Sequence, residues 1–182
     1  MVFKNKDWNN TQEIVVYSNY HPYWIDKEAG IRNRQFDVFS GKILDLKQGK
    51  EEAIDFFYKI LDTEINSGVT ICVVQSSDAD KLNSGIAILA ERLACNDRIN
   101  KVYYLKRTRS IPKLAYGGRR DKSIHYETIR TVSDIDITGN IVLLMDDVTT
   151  TGNSLYACRD ILLDNGAEHV EMFALGRTVR PD

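Results

Sequence analysis

Cysteine and proline are scarce in this chain, which has 182 residues and three of each. The cysteines Cys72, Cys95 and Cys158 are odd in number and lack metal-ligand spacing, which argues against a disulfide framework or a zinc site. We expect them to be small buried side chains in a reducing compartment. Three prolines leave no room for a proline-rich linker, and the length favours one domain.

Long apolar runs and an excess of one charge are also missing. No stretch approaches the ~20 apolar residues of a membrane span, and the first residues lack the apolar core of a secretory signal. We therefore expect a cytoplasmic protein without membrane contact. The formal net charge is −2, whereas a general nucleic-acid binder usually carries a basic excess. Nucleic acid is therefore not an expected partner.

Apolar patterns from residue 51 to the end alternate between helical spacing and short unbroken runs. Unbroken β-branched runs are typical of strands buried on both faces of a parallel sheet. The alternation predicts an α/β fold with a mostly parallel central sheet flanked by helices. The predicted helices cover 51–66, 84–95 and 154–164, and the predicted strands cover 69–74, 102–105, 141–145 and 170–175.

The first 48 residues depart from this alternation and are richer in β-type patterns. Residues 13–18 predict a strand, and the segments 35–39 and 42–46 flank Ser40 and Gly41 like the arms of a hairpin. We therefore divide the chain into a small β-rich N-terminal subdomain or hood-like addition, 1–48, and an α/β core, 49–182. The two would still form one compact domain.

Asp146 and Asp147 directly follow the apolar run at 141–145. In open α/β sheets, ligands bind beyond the carboxyl ends of the strands. Adjacent side chains of a strand point to opposite faces, so the two carboxylates could share a sugar diol, and one could steer a divalent cation through water.

The next residues, 148–154, offer several hydroxyls and one glycine before a helix begins. The unpaired amides and the dipole of a helix N-terminus favour a phosphate group, and Gly152 permits close backbone approach. A ribose 5-phosphate satisfies both the carboxylates and this cradle. The alternative is an acidic turn followed by a capped helix.

The stretch 141–155 resembles the signature of type I phosphoribosyltransferases, and the resemblance extends over residues 50–178. It implies a pentosyltransferase that binds 5-phosphoribosyl-1-pyrophosphate with Mg²⁺ and transfers the phosphoribosyl group to a nitrogen nucleophile, a nucleobase, with release of pyrophosphate. It also implies that Asp146 and Asp147 act in catalysis, contact the ribose hydroxyls and hold the metal through water. The residues implied to hold the 5-phosphate are Thr149, Thr150, Thr151, Gly152, Asn153 and Ser154.

One position departs from the purine-salvage branch of that family. Thr150 stands where those enzymes usually have an aspartate, so the chain looks more like the orotate branch or the ComF-type competence-associated group. The alternative function is therefore a non-catalytic regulator that binds 5-phosphoribosyl-1-pyrophosphate, or a ComF-like accessory protein. Family members are often homodimers.

Two further segments match places where the family binds pyrophosphate. The loop after the strand at 69–74 offers Ser76, Ser77, Asp78 and Lys81, although it could be a plain strand–helix connection. The basic segment 106–122 resembles a mobile loop that closes over the ligand, although it could be a solvated charged face. Its implied pyrophosphate ligands are Arg107, also implied to act in catalysis, Arg109 and Arg119.

The acceptor is the least defined part of the predicted site. The family usually selects the base with a hood, and little chain follows the strand at 170–175. The aromatic residues Tyr20, Tyr23 and Trp24 either pack the N-terminal segment or form a wall against which a nucleobase stacks.

Overall fold

The protein was analysed as a computed structural model that describes residues 1–9, 12–81, 83–111 and 122–179. The helices are α1 (Val38–Lys47), α2 (Glu51–Leu61), α3 (Gly85–Ala94), α4 (Lys122–Thr128) and α5 (Asn153–Asp164). The strands are β1 (Val15–Tyr20), β2 (Trp24–Asp26), β3 (Ile31–Arg32), β4 (Thr70–Val73), β5 (Ile99–Asn100), β6 (Leu105–Arg107), β7 (Ile129–Thr131), β8 (Ile141–Thr149) and β9 (His169–Thr178).

The centre of the molecule is a five-stranded parallel sheet in the order β1-β9-β8-β4-β5. All four residues of β4 are buried, as are Val142–Met145 of β8. Unbroken apolar runs are needed there because helices cover both faces of the sheet. The predicted α/β fold with a parallel central sheet flanked by helices is confirmed.

Alternate side chains of the strands pack into two separate hydrophobic cores, one on each face of the sheet. Ile71 and Leu143 pack on one face with residues of α1, α2 and α3. Cys72 and Leu144 pack on the other face with residues of α5. This arrangement fixes the carboxyl ends of β4 and β8 side by side between the two helical layers.

The predicted hairpin around Ser40 and Gly41 is wrong, because α1 runs through both of its arms. The Asp37 side chain caps this helix by accepting a hydrogen bond from the Ser40 amide at 2.7 Å. Ile43 and Leu46 are fully buried on the helix face that meets the sheet. Burial against the sheet therefore outweighs the local turn preference of serine and glycine.

The N-terminal segment contributes to the main sheet as well as to a small ribbon. β1 pairs in parallel with β9, and β2 pairs with β3 in an antiparallel ribbon. The boundary between residues 48 and 49 stays a prediction.

Two smaller expectations also need correction. The strand predicted at 102–105 lies at Leu105–Arg107 and pairs antiparallel with β7, apart from the central sheet. Cys72 and Cys158 are buried as expected, but Cys95 is exposed.

None of the helices in the described residues is both long and apolar enough to span a bilayer.

Candidate functional site

A crevice lies where the strand connections of the sheet diverge. β4 leads through α3 to the edge strand β5, whereas β8, on the other side of β4, leads through α5 to β9. Such a switch point leaves an opening at the carboxyl ends of the two strands. A cavity of about 510 Å³ occupies it. The predicted site residues that line this cavity are Ser76, Ser77, Lys81, Arg107, Asp146, Asp147 and Ser154.

The two adjacent carboxylates reach into this cavity from opposite faces of β8. Asp147 pairs with Lys47 of α1, whereas Asp146 accepts a hydrogen bond from Ser154 at the start of α5. The Asp147 amide also donates to Asp146 Oδ1 at 2.8 Å. Burial, followed by the charge of Asp147, raises the pKa of Asp146 well above its usual range. The pair therefore presents one hydrogen-bonded carboxyl and one ion-paired carboxylate to a ligand.

Lys47 supplies the positive charge nearest to this pair. Its Nζ lies 3.1 Å from Asp147 Oδ1, and its side chain is about one-third exposed. Burial works to lower the pKa of Lys47, but the charge and hydrogen bond of Asp147, with smaller contributions from Tyr20 and Asp146, raise it overall. The ammonium is therefore held in its charged form beside the carboxylates.

The hydroxyl-rich loop after Asp147 forms the entry to α5. Of the predicted phosphate-binding residues, Ser154 lines the cavity, but Thr149, Thr150, Thr151, Gly152 and Asn153 do not. Gly152 is the N-cap residue of α5, with φ 81°, and makes no side-chain cap hydrogen bond. The Asn153 amide lies 3.5 Å from the Thr151 hydroxyl. Backbone amides at a helix N-terminus point along the helix axis and favour an anion there.

Thr149, the last residue of β8, and Thr150, the first residue after it, differ in their surroundings. The Thr149 hydroxyl is buried without a hydrogen-bond partner in the described structure, whereas the Thr150 hydroxyl lies 2.9 Å from that of Thr178. At Gly152, an added Cβ would lie 2.5 Å from Ile14 Cδ1. Glycine is thus required both by the left-handed conformation and by the neighbouring core.

The loop after β4 is a turn that is stabilised by hydrogen bonds within the loop and by hydrogen bonds to neighbouring segments. The Ser76 hydroxyl accepts from the Asp78 amide at 3.1 Å, and the Ser77 carbonyl accepts from the Ile111 amide at 2.8 Å. The Asp78 carboxylate contacts the Ser110 hydroxyl at 3.4 Å and lies outside the cavity lining. Ser76 and Ser77 therefore remain at the cavity wall, whereas Asp78 serves the turn.

Arg107 fastens this loop to the β6–β7 ribbon. Its Nε donates to the Ser76 carbonyl at 2.5 Å, and its Nη1 donates to the Thr128 hydroxyl at 2.6 Å. Only 4% of the residue is exposed. The geometry makes Arg107 a residue that positions the loop at the edge of the cavity.

The other predicted basic ligands lie elsewhere. Arg109 is exposed, pairs with Glu127 at 3.1 Å and does not line the cavity. Arg119 lies outside the described residues, as do the other positions from 112 to 121.

Sequence reasoning missed Lys47, Gln75 and His125, which also line the cavity. Lys47 was hidden because its helix was interpreted as a hairpin arm. The burial spacing of Ile43 and Leu46 is the signal that could have revealed the helix and its end. His125 carries no such signal, because a lone histidine in a charged segment has no ligand spacing.

Comparisons with known proteins give weak structural similarities. No protein-family model and no curated protein match the chain. A hypoxanthine phosphoribosyltransferase from Staphylococcus aureus aligns with a TM-score of 0.40 and 14% identity over 77% of this chain and 75% of that one. A purine phosphoribosyltransferase from Pyrococcus horikoshii gives 0.37 and 18% over 78% and 86%.

A hypoxanthine phosphoribosyltransferase from Trypanosoma cruzi gives a TM-score of 0.39 and 14% identity over 82% of this chain and 73% of that one. Similarity at this level carries no argument about function. The functional proposal therefore depends on the cavity and its side chains.

Proposed function

We propose that the protein is a type I phosphoribosyltransferase that binds 5-phosphoribosyl-1-pyrophosphate and transfers its phosphoribosyl group to a nitrogen nucleophile. The supporting observation is that Asp146 and Asp147 share one cavity with Ser76 and Ser77 at the switch point of the sheet. A ligand with a diol, a phosphate and a diphosphate can use each part of this arrangement.

The ligand would lie across the carboxyl ends of β8 and β4. The ribose hydroxyls donate to Asp146 and Asp147, and the 5-phosphate accepts from backbone amides at the start of α5. The pyrophosphate meets the hydroxyls and amides of the loop that carries Ser76 and Ser77. Arg107 keeps this loop in place through the carbonyl of Ser76.

The carboxylates fit a magnesium ion held through water. Mg²⁺ usually keeps several waters and binds one or two carboxylates together with substrate phosphates. Asp147 offers such a carboxylate, and a bound cation would favour the ionised form of Asp146 beside it. The described residues include no cluster of three or more metal-ligating side chains that would form a full protein cage. When bound, the ion would offset the charge that develops on the leaving pyrophosphate.

In the proposed reaction, the bond between ribose C1 and the pyrophosphate oxygen breaks and a C1–N bond forms. The transition state gains positive charge on the sugar and negative charge on the leaving group. The acid pair lies beside the sugar, and the cationic and hydroxyl groups lie beside the pyrophosphate. The protein thus works by positioning and by preorganised charge.

An aromatic pocket next to the cavity suits a planar acceptor. It has a volume of about 470 Å³ and is lined by Tyr20, Tyr23 and Trp24 among others. The Arg32 guanidinium lies over the rings of Tyr23 and Trp24, at 5.3 Å and 5.7 Å from their centroids. Tyr20 joins this pocket to the cavity, because its ring lies 5.7 Å from Lys47 Nζ. We propose that a nucleobase-like acceptor stacks here.

Calorimetry with 5-phosphoribosyl-1-pyrophosphate and Mg²⁺ tests the ligand. We expect binding by the natural chain and none by the double variant Asp146→Asn, Asp147→Asn, with circular dichroism unchanged. Asp134→Asn is the matched control, because Asp134 lies in a different surface depression. Normal binding by the double variant would show that the site is misassigned.

Pyrophosphate release across a panel of nucleobases tests the reaction. Release with one base would support the transferase. Binding without release on any base would instead favour the regulator or ComF-like accessory, and the resemblance to the ComF-type group stays a prediction until then. Failure to bind the ligand at all would contradict both functions.

A further inference from the structure

We propose that Lys47, at the end of α1, is a pyrophosphate-binding residue that also positions Asp147. This inference rests on the proposed function and adds a ligand-binding group from outside the two loops of the site. It predicts that one ammonium contacts the diphosphate directly and supports binding of the ribose through Asp147.

The position of the Lys47 ammonium supports a contact with an anion. Its Nζ lies 3.1 Å from Asp147 Oδ1, the side chain is about one-third exposed, and the residue lines the cavity that Ser76 and Ser77 also line. A lysine ammonium has three N–H donors. Among the described residues, Asp147 is the carboxylate that pairs with this ammonium, and one N–H donor suffices for that contact, so that the others can serve a ligand.

The other basic residues of the cavity are arranged differently. Among the described residues, the cavity lining contains three basic side chains, Lys47, Lys81 and Arg107. The guanidinium of Arg107 is buried and donates to backbone carbonyls of the loop and to Thr128. The contact of Lys81 Nζ is with the carbonyl oxygen of Lys47, at 3.5 Å. Lys47 is the one of these three that pairs with Asp147, so it joins the acid pair to the cavity that Ser76 and Ser77 line.

The backbone around Lys47 is tied to its surroundings, so that the ammonium is preorganised. The preceding residue, Leu46, is fully buried, and its carbonyl oxygen lies against Gly85 at the start of α3. Lys81 Nζ lies 3.5 Å from the Lys47 carbonyl, at the limit of a hydrogen bond. A side chain that extends from such a fixed helix end loses less freedom when a ligand arrives.

This geometry has a consequence for specificity. An ammonium that contacts both Asp147 and the pyrophosphate should give higher affinity for a ligand that carries a sugar and a diphosphate together. Inorganic pyrophosphate alone would contact only the Lys47 ammonium, and ribose 5-phosphate alone would contact only the Asp147 carboxylate. The chemical class selected is therefore a 1-diphosphorylated sugar phosphate.

The test uses Lys47→Met, Lys47→Arg and Lys47→Gln in the full chain with Mg²⁺. The probes are inorganic pyrophosphate, ribose 5-phosphate and 5-phosphoribosyl-1-pyrophosphate, measured by calorimetry. We expect Lys47→Met and Lys47→Gln to weaken pyrophosphate binding about tenfold or more, as for loss of a charged hydrogen bond. Ribose 5-phosphate should lose less, and Lys47→Arg should recover most of the affinity. Lys50→Met is the control, because Lys50 also pairs with an aspartate, Asp45, but does not line the cavity.

The outcomes separate this inference from the proposed function. If the natural chain binds 5-phosphoribosyl-1-pyrophosphate and Lys47→Gln binds pyrophosphate equally well, the inference is overturned while the function stands. Equal losses for pyrophosphate and ribose 5-phosphate would also overturn it, because Lys47 would then act only through Asp147. If pyrophosphate binding depends on Lys47 but the natural chain does not bind the full ligand, the function fails and the contact stands. If the natural chain binds none of the probes, both are overturned.

Discussion

Gly85 meets the carbonyl oxygen of Leu46 so closely that a Cβ at this glycine would lie 1.7 Å from that oxygen. The contact joins the end of α1 to the start of α3 at the wall of the cavity. Backbone cannot move aside as a flexible side chain can, so any larger residue must push the two helices apart.

We therefore expect Gly85→Ala to lower the free energy of unfolding by about 2–3 kcal/mol, as overpacking does. Urea denaturation of the natural protein and the variant measures this difference in the free energy of unfolding. Gly41→Ala is a matched control inside α1, where an added Cβ would meet Phe36 Cζ at an ordinary 3.6 Å. That change should stabilise the protein by up to about 1 kcal/mol through helix propensity. Equal stabilities of the two variants would contradict the close contact.

Asp146→Asn should stabilise the protein increasingly as the pH rises. Burial and the charge of Asp147 raise the pKa of Asp146 in the folded state, whereas in the unfolded chain this carboxyl ionises near its usual pKa. The cost of ionising it is absent below the unfolded pKa and grows as the pH rises through the folded pKa. Thermal melts from pH 4 to pH 9 should show the Asn variant gaining stability at the upper end, at about 2–4 °C of melting temperature for each kcal/mol.

Asp136→Asn provides a control of the opposite sign. Hydrogen bonds from the backbone and hydroxyl of Thr138 lower the pKa of Asp136. The stability that the natural carboxylate provides is therefore present at neutral pH and lost as the pH falls through the folded pKa. Melts extended to pH 2 should show this loss, whereas Asp136→Asn should show no gain between pH 4 and pH 9. If both aspartate variants follow the same trend with pH, the assignment of a raised pKa to Asp146 is wrong.

Arg107→Ala should weaken the binding of inorganic pyrophosphate more than that of ribose 5-phosphate. Arg107 holds the carbonyls of Gln75 and Ser76 and the hydroxyl of Thr128 at once, so its loss frees the loop after β4. We expect at least a tenfold difference between the two ligands in calorimetry, as for a charged hydrogen-bond network.

Arg107→Lys should not restore pyrophosphate binding, because one ammonium lacks the planar set of donors that spans three acceptors. Thr128→Val removes only one acceptor and should give a smaller loss. Equal losses for the two ligands in Arg107→Ala would show that the arginine is not specific to the pyrophosphate side.

Arg98→Met should cost about 2–3 kcal/mol of unfolding free energy, as expected for the loss of charged hydrogen bonds from a buried guanidinium. The Arg98 guanidinium is buried, pairs with the partly exposed Asp62 at 2.7 Å, and donates to the carbonyls of Asp62 at the end of α2 and Leu93 near the end of α3. Chemical denaturation measures the loss. Arg92→Met removes the exposed pairs with Glu51 and Asp55 and should cost no more than about 1 kcal/mol. Similar costs would show that the Arg98 network is not stabilising.

The parts of the fold that were predicted from sequence have long and uniform patterns. The run at 141–145 has the unbroken apolar pattern of a strand buried on both faces, and this strand continues through Asp146 and Asp147 to Thr149. Their opposite directions follow from the alternation of side chains, and the contacts of Asp146 with α5 and of Asp147 with α1 agree with it.

The parts that sequence did not reveal depend on tertiary contacts. Ser40 and Gly41 favour a turn locally, and only burial of Ile43 and Leu46 against the sheet makes their segment helical. Lys47 and Asp147 are far apart along the chain, so no local sequence pattern predicts their ion pair. The same holds for Arg107, whose charge indicated a ligand while its hydrogen bonds go to the loop.

The pairing of β1 with β9 has a consequence for the order of folding. The first strand of the sheet takes its neighbour from the last, with Val15 opposite Phe173 and Tyr20 opposite Thr178. During synthesis on the ribosome, β1 emerges long before its partner exists and waits with an unsatisfied hydrogen-bonding edge. Contacts of such long sequence separation are slow to form. The edge of the sheet nearest the aromatic pocket is therefore expected to form late and to be prone to aggregation until β9 has been synthesised.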